Sequence, residues 1–140
     1  QGLDYFDGVN THVEITNNVV LVSAYHGIAL YGSQDSVIAH NTVANPTANG
    51  FETWIMVNDT KGGAPSQNLT VTDNAATKFT LAATTTNLVS SNDVVVADPA
   101  AVYTTFDTTK MLFDLTPKSG SVLDGTGAGA PAVTPPAPLP

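Results

Sequence analysis

The chain has 140 residues, and its four lysines and twelve acidic residues give a formal charge of −8 at pH 7. It contains no arginine and no cysteine. Without cysteine there can be no disulfide framework and no thiolate zinc site. Because phosphate neutralisation needs a basic patch, this composition excludes nucleic-acid binding and disfavours anionic membrane surfaces. The length suits one domain with a single core.

Residue usage predicts an all-β fold. The sequence holds 20 Thr, 16 Val and 11 Asn, and Thr and Val favour strands whereas Asn favours turns. The apolar runs are only a few residues long, so we expect no membrane insertion. Residues 1–12 are predicted to cap the first repeat or to cover its edge, and Gln1 is interpreted as a processed or cut end.

A repeated unit begins at residue 13. An alternating apolar stretch followed by a polar residue and an asparagine occurs in residues 13–20, 36–43, 69–76 and 88–95. The aligned asparagines are Asn18, Asn41, Asn74 and Asn92. The apolar residues three positions before them are Ile15, Ile38, Val71 and Val89.

A repeat near twenty residues with strand chemistry predicts a solenoid in which each repeat is one coil. The aligned Ile and Val would form a continuous core, and the asparagines would form a ladder of amides hydrogen-bonded between coils. A β-sandwich whose hairpins share turn residues by chance is the alternative, because the repeat spacings are unequal.

The C-terminal region differs in composition from the repeats. Five of the nine prolines lie in residues 131–140, and residues 125–140 are predicted to form a linker or an edge-covering tail rich in Pro, Gly and Ala. The coils and the segment that closes them are therefore assigned to residues 13–124.

The repeats also carry a family resemblance. The stretches Ile15–Val20, His26–Gly32 and Val37–Val43 resemble right-handed parallel β-helix repeats, and Phe113–Gly125 resembles the segment that closes such helices. The family includes pectate and alginate lyases, mannuronan epimerases, polygalacturonases, phage tailspikes and bacterial surface proteins. The resemblance implies a short right-handed parallel β-helix with a C-terminal cap and a Pro-rich tail, secreted or at the cell surface. It further implies the closing end of a longer helix, whose N-terminal coil edge pairs with an upstream segment or with a second copy.

Tyr25 and His26 precede an apolar strand and are candidate catalytic residues. Lyases and epimerases of this kind remove a proton α to a uronate carboxylate, and the resemblance implies His26 as the base with Tyr25 or Tyr31 as proton donor. A corner histidine bonded to backbone is the alternative. The absence of arginine excludes the pectate-lyase mechanism that the resemblance implies, and singly spread carboxylates disfavour an inverting hydrolase.

The region between Asn41 and Asn74 is the least repetitive and is predicted to protrude as a loop. Trp54, Tyr31 and Lys61 are candidate carbohydrate-binding residues, with burial of Trp54 against the core as the alternative. No cofactor is required, but Asp35, Glu52 and Asp59 are candidate ligands for calcium, which takes carboxylate oxygens. Solvated surface carboxylates are the alternative for these three.

Two function classes follow from these residues. The first is an extracellular β-helix module from a polysaccharide-binding or polysaccharide-processing protein, not catalytic by itself. The second is a structural module that stacks on another subunit through its open N-terminal coil edge. A histidine-based uronate lyase or C5-epimerase is a further alternative.

Overall fold

The computed structural model describes residues 2–5, 9–47 and 49–131, and the side chains of residues 4 and 5 lie outside this description. In chain order its elements are β1 (Leu3–Tyr5), β2 (Glu14–Thr16), β3 (Val19–Leu21), β4 (His26–Tyr31), β5 (Gln34–Ala39), β6 (Thr42–Ala44), β7 (Trp54–Asn58), β8 (Gln67–Thr72), β9 (Ala75–Ala76), β10 (Lys78–Leu81), β11 (Thr86–Ser91), β12 (Val94–Val95), α1 (Pro99–Val102), β13 (Tyr103–Asp107) and β14 (Leu112–Pro117).

The first twelve strands form three parallel sheets. Sheet 1 has the order β1-β4-β7-β10, sheet 2 the order β2-β5-β8-β11, and sheet 3 the order β3-β6-β9-β12. Each strand therefore pairs with the strand three places later, and the chain visits the three sheets in turn. We call three successive strands a coil. The protein is all-β with parallel sheets, as predicted, and this arrangement is compatible with a β-helix. Within the described ranges, no helix is long and apolar enough to cross a membrane.

The core lies between the three sheets and follows the predicted repeat. Ile15, Ile38 and Val71 oppose one another across β2, β5 and β8, and each is at most 5% exposed. Sheet 1 contributes Ile28 and Ile55, which pair in register and are fully buried. Branched side chains on three facing sheets therefore fill the interior of the stack.

Asparagine side chains connect the coils at one corner. Asn18 donates through both its backbone N and its Nδ2 to Asn41 Oδ1, at 3.0 Å each. Asn41 binds Asn74 Oδ1 in the same way at 3.0 and 2.9 Å. The fourth rung is Asp93, whose Oδ1 accepts from Asn74 N and Nδ2 at 3.0 and 2.9 Å.

The fourth predicted repeat is therefore misaligned by one residue. Ser90, rather than Val89, opposes Val71 in the register of β8 and β11. Val89 lies on the outer face and is 58% exposed. Asn92, predicted as the fourth ladder residue, occupies instead the corner position before the ladder.

That corner position requires a left-handed backbone. Asn17, His40, Asp73 and Asn92 precede the four ladder residues, with φ between 52° and 58°. Asn and Asp tolerate this conformation better than other non-glycine residues. The left-handed residue is thus the one before each ladder position, not the ladder residue itself.

The N-terminal segment contributes a strand. Within residues 1–12, predicted as a cap or edge cover, β1 pairs in parallel with β4 and forms the first strand of sheet 1. Residues 6–8 lie outside the described part of the chain. The predicted N-terminal segment therefore includes part of the first coil.

The C-terminal segment lies beside the stack. α1 leads into the antiparallel pair β13–β14, and Tyr103, Val102 and Leu123 pack with Ala75 and Val96 in a second apolar cluster. Ala75 opposes Thr42 in sheet 3, on the face turned away from the core. Residues predicted to close the end of the stack therefore cover the outer face of sheet 3.

The described part of the tail also belongs to the folded structure. Gly129 N donates to the Asp73 carbonyl at 2.7 Å, and Ala130 N donates to Thr42 Oγ1 at 2.9 Å. Gly129 has φ of 92°, and a Cβ there would lie 2.8 Å from Thr42 Oγ1. Folded structure therefore continues past Asp124 to residue 131, and residues 132–140 lie outside the described ranges.

Candidate functional site

In three strands of sheet 1, the side chain of the first residue lies on the outer face of the sheet. His26, Trp54 and Lys78 begin β4, β7 and β10, and the register pairs His26 with Trp54 and Trp54 with Lys78. The ring centroids of His26 and Trp54 are 5.4 Å apart. Lys78 Nζ lies 5.7 Å from the Trp54 centroid, within reach of a cation–π interaction. The three side chains form a row across the sheet.

A β-bulge at Gly27 directs His26 towards this row. The register shifts between His26 and Ile28, which leaves Gly27 as an extra residue in β4. Bulges of this kind turn the neighbouring side chain. A Cβ at Gly27 would lie 2.1 Å from Val43 Cγ1 and 3.1 Å from the Trp54 carbonyl oxygen. Only glycine fits between the core and β7 at this point.

Two further rings extend the row into an aromatic surface, defined here as Tyr25, His26, Phe51 and Trp54. The Tyr25 ring stacks on Trp54 at 5.1 Å with an interplanar angle of 21°, and it contacts Phe51 at 4.5 Å. Tyr25 is 49% exposed and Phe51 is 39% exposed. These separations are those of favourable aromatic pairs, so the surface presents flat apolar faces to solvent.

The loop that carries Phe51 is held by hydrogen bonds. Asn45 Nδ2 donates to the Phe51 carbonyl at 2.9 Å and to Asn49 Oδ1 at 2.6 Å. Buried Thr53 donates from Oγ1 to the carbonyls of Val22 and Ala24, at 3.0 and 2.7 Å. The aromatic surface is therefore positioned by the scaffold before any ligand arrives.

Glu52 and Lys78 form an ion pair at the edge of the aromatic surface. Lys78 Nζ lies 2.9 Å from Glu52 Oε2, and both side chains are substantially exposed, at 44% and 62%. Such a pair adds only about 0–1 kcal/mol to stability. Its larger consequence is that the positive charge nearest Trp54 is already neutralised.

Tyr31, at the opposite end of β4 from His26, packs with Ala29, Met56 and Trp54 in a small cluster outside the main core. Tyr31 is 9% exposed, and its hydroxyl donates to Met56 Sδ at 3.7 Å. The ring of Tyr31 lies 6.3 Å from that of His26. Trp54 Nε1 is buried and has no hydrogen-bond partner among the residues described. Little of Tyr31 is therefore accessible to a substrate.

The predicted calcium ligands do not form a group. Within the described ranges, no three His, Asp or Glu side chains lie close enough together to hold a metal ion. Asp35 accepts from Asn68 Nδ2 at 2.8 Å, Asp59 accepts from Thr84 Oγ1 at 2.6 Å, and Glu52 pairs with Lys78. Each carboxylate thus has its own partner in a different part of the fold, which corrects the sequence prediction.

A separate cleft of about 420 Å³ lies between His40 and the described part of the tail, with Leu123 in its wall. His40 Nε2 is 3.8 Å from Asp73 Oδ2. Hydrogen bonds from Asn92 and Thr72, with a smaller contribution from His40, hold the pKa of Asp73 below its usual value. Glycine and proline backbone form much of the wall, so few side chains could orient a ligand here.

The structure thus brings together some predicted site residues and separates others. Tyr25, His26 and Trp54 meet on one surface. Lys61 lies in the turn beyond the other end of β7, whereas Lys78, which the sequence reasoning missed, stands beside Trp54. No sequence pattern links the two stretches, because residues 54–57 are all apolar whereas residues 78–81 alternate, and only the register of β7 and β10 places Lys78 beside Trp54.

The parallel sheets are compatible with the family resemblance, but the comparisons name no family. No protein-family model matches the chain, and neither a curated protein nor a solved structure matches it.

Proposed function

We propose that this chain is an extracellular module of the right-handed parallel β-helix type that binds polysaccharide and is not catalytic by itself. The observation that carries the proposal is the exposed ring pair Tyr25 and Phe51 beside Trp54. Exposed aromatic rings that are fixed in place are unusual on a protein surface without a binding role.

Stacking on sugars explains why flat, rigid rings would occupy this site. A pyranose presents an apolar C–H face and a polar rim of hydroxyls, and large rings bury such faces at little conformational cost. The Glu52 carboxylate, next to Trp54, can accept hydrogen bonds from the hydroxyl rim. A sheet of parallel strands supplies the rigid base that keeps the rings aligned along a chain of sugars.

Binding can be measured on the intact chain because Trp54 is the one tryptophan in the sequence. Its fluorescence should change on titration with soluble β-glucan, xylan, alginate or pectin, if one of these is a ligand. Tyr25→Ala and Phe51→Ala should each weaken that binding by about tenfold, the magnitude of a lost aromatic contact. Val122→Ala, at a site that is 58% exposed and belongs to the C-terminal segment, is the matched control. Binding that survives both ring substitutions unchanged would refute the proposal.

Limited access to Tyr31 argues against this residue as the proton donor of the lyase or epimerase alternative. That alternative needs a base and a proton donor that both reach a uronate, and Tyr31 is nearly buried with its hydroxyl directed at Met56, whereas Tyr25 is 49% exposed. Turnover of alginate or pectin, followed by the absorbance of unsaturated products, tests this alternative. Activity abolished by His26→Ala would establish a lyase and overturn the non-catalytic proposal.

A second candidate function is assembly through the N-terminal coil edge. Within the described residues, β1, β2 and β3 each pair with a strand on one side only, and unpaired strand edges recruit further strands. A second copy or an upstream β-helix segment would satisfy these groups. Light scattering of the intact chain decides between the outcomes, because a stable monomer over a range of concentrations counts against self-assembly.

A further inference from the structure

The cations of this protein are few and already engaged. The sequence has four lysines and no arginine. Lys78 pairs with Glu52 at 2.9 Å, Lys110 pairs with Asp107 at 3.8 Å, and Lys118 Nζ donates to the Ala100 carbonyl at 2.7 Å. Lys61 is engaged as well. A protein that binds a carboxylated sugar needs cations to receive each carboxylate, most effectively as bidentate arginines.

From this we infer that the aromatic surface selects uncharged glycans and discriminates against uronates. The inference rests on the proposed polysaccharide binding and adds its ligand class. The ammonium group nearest the exposed rings, that of Lys78, is neutralised by Glu52. The chain as a whole carries a charge of −8. A polyuronate, with one carboxylate per sugar, therefore meets repulsion at this surface without a compensating ion pair.

An uncharged glycan avoids that repulsion and keeps every favourable contact. Its apolar faces can stack on Tyr25 and Phe51, which are 49% and 39% exposed. Its hydroxyls can donate to the Glu52 carboxylate, whose side chain is 62% exposed. Neither contact needs a cation, so the surface is complete for a neutral ligand and incomplete for a uronate.

Two oligosaccharides of equal length and linkage give a direct test. A β-1,4-linked oligoglucoside is the neutral probe and a β-1,4-linked oligomannuronate is the charged probe, each titrated against Trp54 fluorescence. One unit of the chain's net charge of −8, taken to act at about 8 Å from two uronate carboxylates, should weaken oligomannuronate binding about fivefold in dilute buffer. That difference should shrink to about twofold at about 150 mM salt, where the Debye length is about 8 Å.

Glu52→Gln provides the decisive variant. It releases the Lys78 ammonium beside Trp54 and removes the same charged hydroxyl acceptor for both probes, so the ratio of oligomannuronate affinity to oligoglucoside affinity should rise about fivefold. Glu14→Gln makes the same change in net charge at an exposed residue of β2 in sheet 2, and should leave the discrimination unchanged. Circular dichroism of both variants establishes that they fold.

Each outcome distinguishes this inference from the proposed function. Equal or tighter binding of the oligomannuronate, lost in Tyr25→Ala, overturns the selection for neutral glycans but leaves polysaccharide binding in place. No response to either probe, or to the soluble polysaccharides, overturns both. Binding of the oligoglucoside that persists in Tyr25→Ala and Phe51→Ala also overturns both proposals, because the ligand then binds elsewhere on the protein.

Discussion

Replacing Asn41 by alanine should strongly destabilise this protein. Asn41 is fully buried. Its Oδ1 accepts from Asn18 N and Nδ2 at 3.0 Å each. Its Nδ2 donates to the carbonyls of Ile15 and Ala39, at 2.8 and 3.0 Å, and to Asn74 Oδ1 at 2.9 Å. The side chain therefore joins three successive coils.

The magnitude follows from the groups that lose a partner. Alanine leaves the Asn18 backbone N–H without the bond described, at a cost of about 1–3 kcal/mol, and it removes the bonds from Asn41 Nδ2 to the Ile15 carbonyl and to Asn74 Oδ1. The Ala39 carbonyl keeps a second donor, Asn17 N, at 3.1 Å. We therefore expect a loss of about 2–5 kcal/mol, a large part of the roughly 5–15 kcal/mol that stabilises a typical domain.

Urea unfolding followed by far-ultraviolet circular dichroism and by Trp54 fluorescence measures this loss. Asn92→Gly is the matched control, because glycine accepts the left-handed φ of 52° at that corner. The Asn92 side chain is exposed and makes two hydrogen bonds, to Asp73 Oδ1 and the Thr126 carbonyl, so its removal should cost less than about 1 kcal/mol. Equal losses for the two variants would refute the assignment of the ladder.

Three further predictions test the packing. Val43→Ala should lower the free energy of unfolding by about 1.5–2.5 kcal/mol, because Val43 is 1% exposed. Val95 occupies the equivalent position in the last coil but is 55% exposed, so Val95→Ala should lower the free energy of unfolding by less than about 0.5 kcal/mol. Urea unfolding measures both losses. Gly27→Ala should destabilise by about 1–3 kcal/mol through contact with the core, whereas Gly62→Ala, with no atom nearer than 3.8 Å, should be nearly neutral. Burial raises the pKa of Tyr103 to about 12. The contribution of the neutral Tyr103 side chain to folding stability is therefore fully present below about pH 10. About 2–3 kcal/mol of the free energy of unfolding is lost as the pH rises to about 12. In Tyr103→Phe, which has no phenol to ionise, folding stability should not show this loss between about pH 10 and about pH 12.

The sequence repeats predict the core and ladder positions of the first three coils correctly. They misplace those positions in the fourth coil for a physical reason. Ile15, Ile38 and Val71 are apolar because they face the core between coils. In the last coil the equivalent inward position faces solvent on one side, and Ser90 occupies it and is exposed. If the repeats are aligned on an apolar residue, the neighbouring Val89 is selected, although it lies on the outer face of the sheet. The predicted ladder residue then shifts from Asp93 to Asn92.

The candidate surface was predictable only in part. Tyr25, His26 and Trp54 stand out in the sequence because aromatic residues next to a glycine and a polar loop are unusual. Lys78 does not stand out, since its relation to Trp54 depends on the register of β7 and β10 in sheet 1, and the connection between β7 and β8 (residues 59–66) obscures that register. The grouping of carboxylates for calcium failed because acidic composition alone does not specify which coils bring side chains together.

The position of the C-terminal segment follows from which surface of the stack needs cover. On sheet 3, Ala75 and Val96 would expose apolar surface, and burying it against Tyr103 and Leu123 is favourable. The end of the last coil is covered less: Val95, at the register position of core Val43, is 55% exposed, and the inward-facing Ser90 is exposed as well. Within the described residues, β10, β11 and β12 pair on one side only, as β1, β2 and β3 do, so strand edges alone do not favour one end of the stack over the other for a further coil.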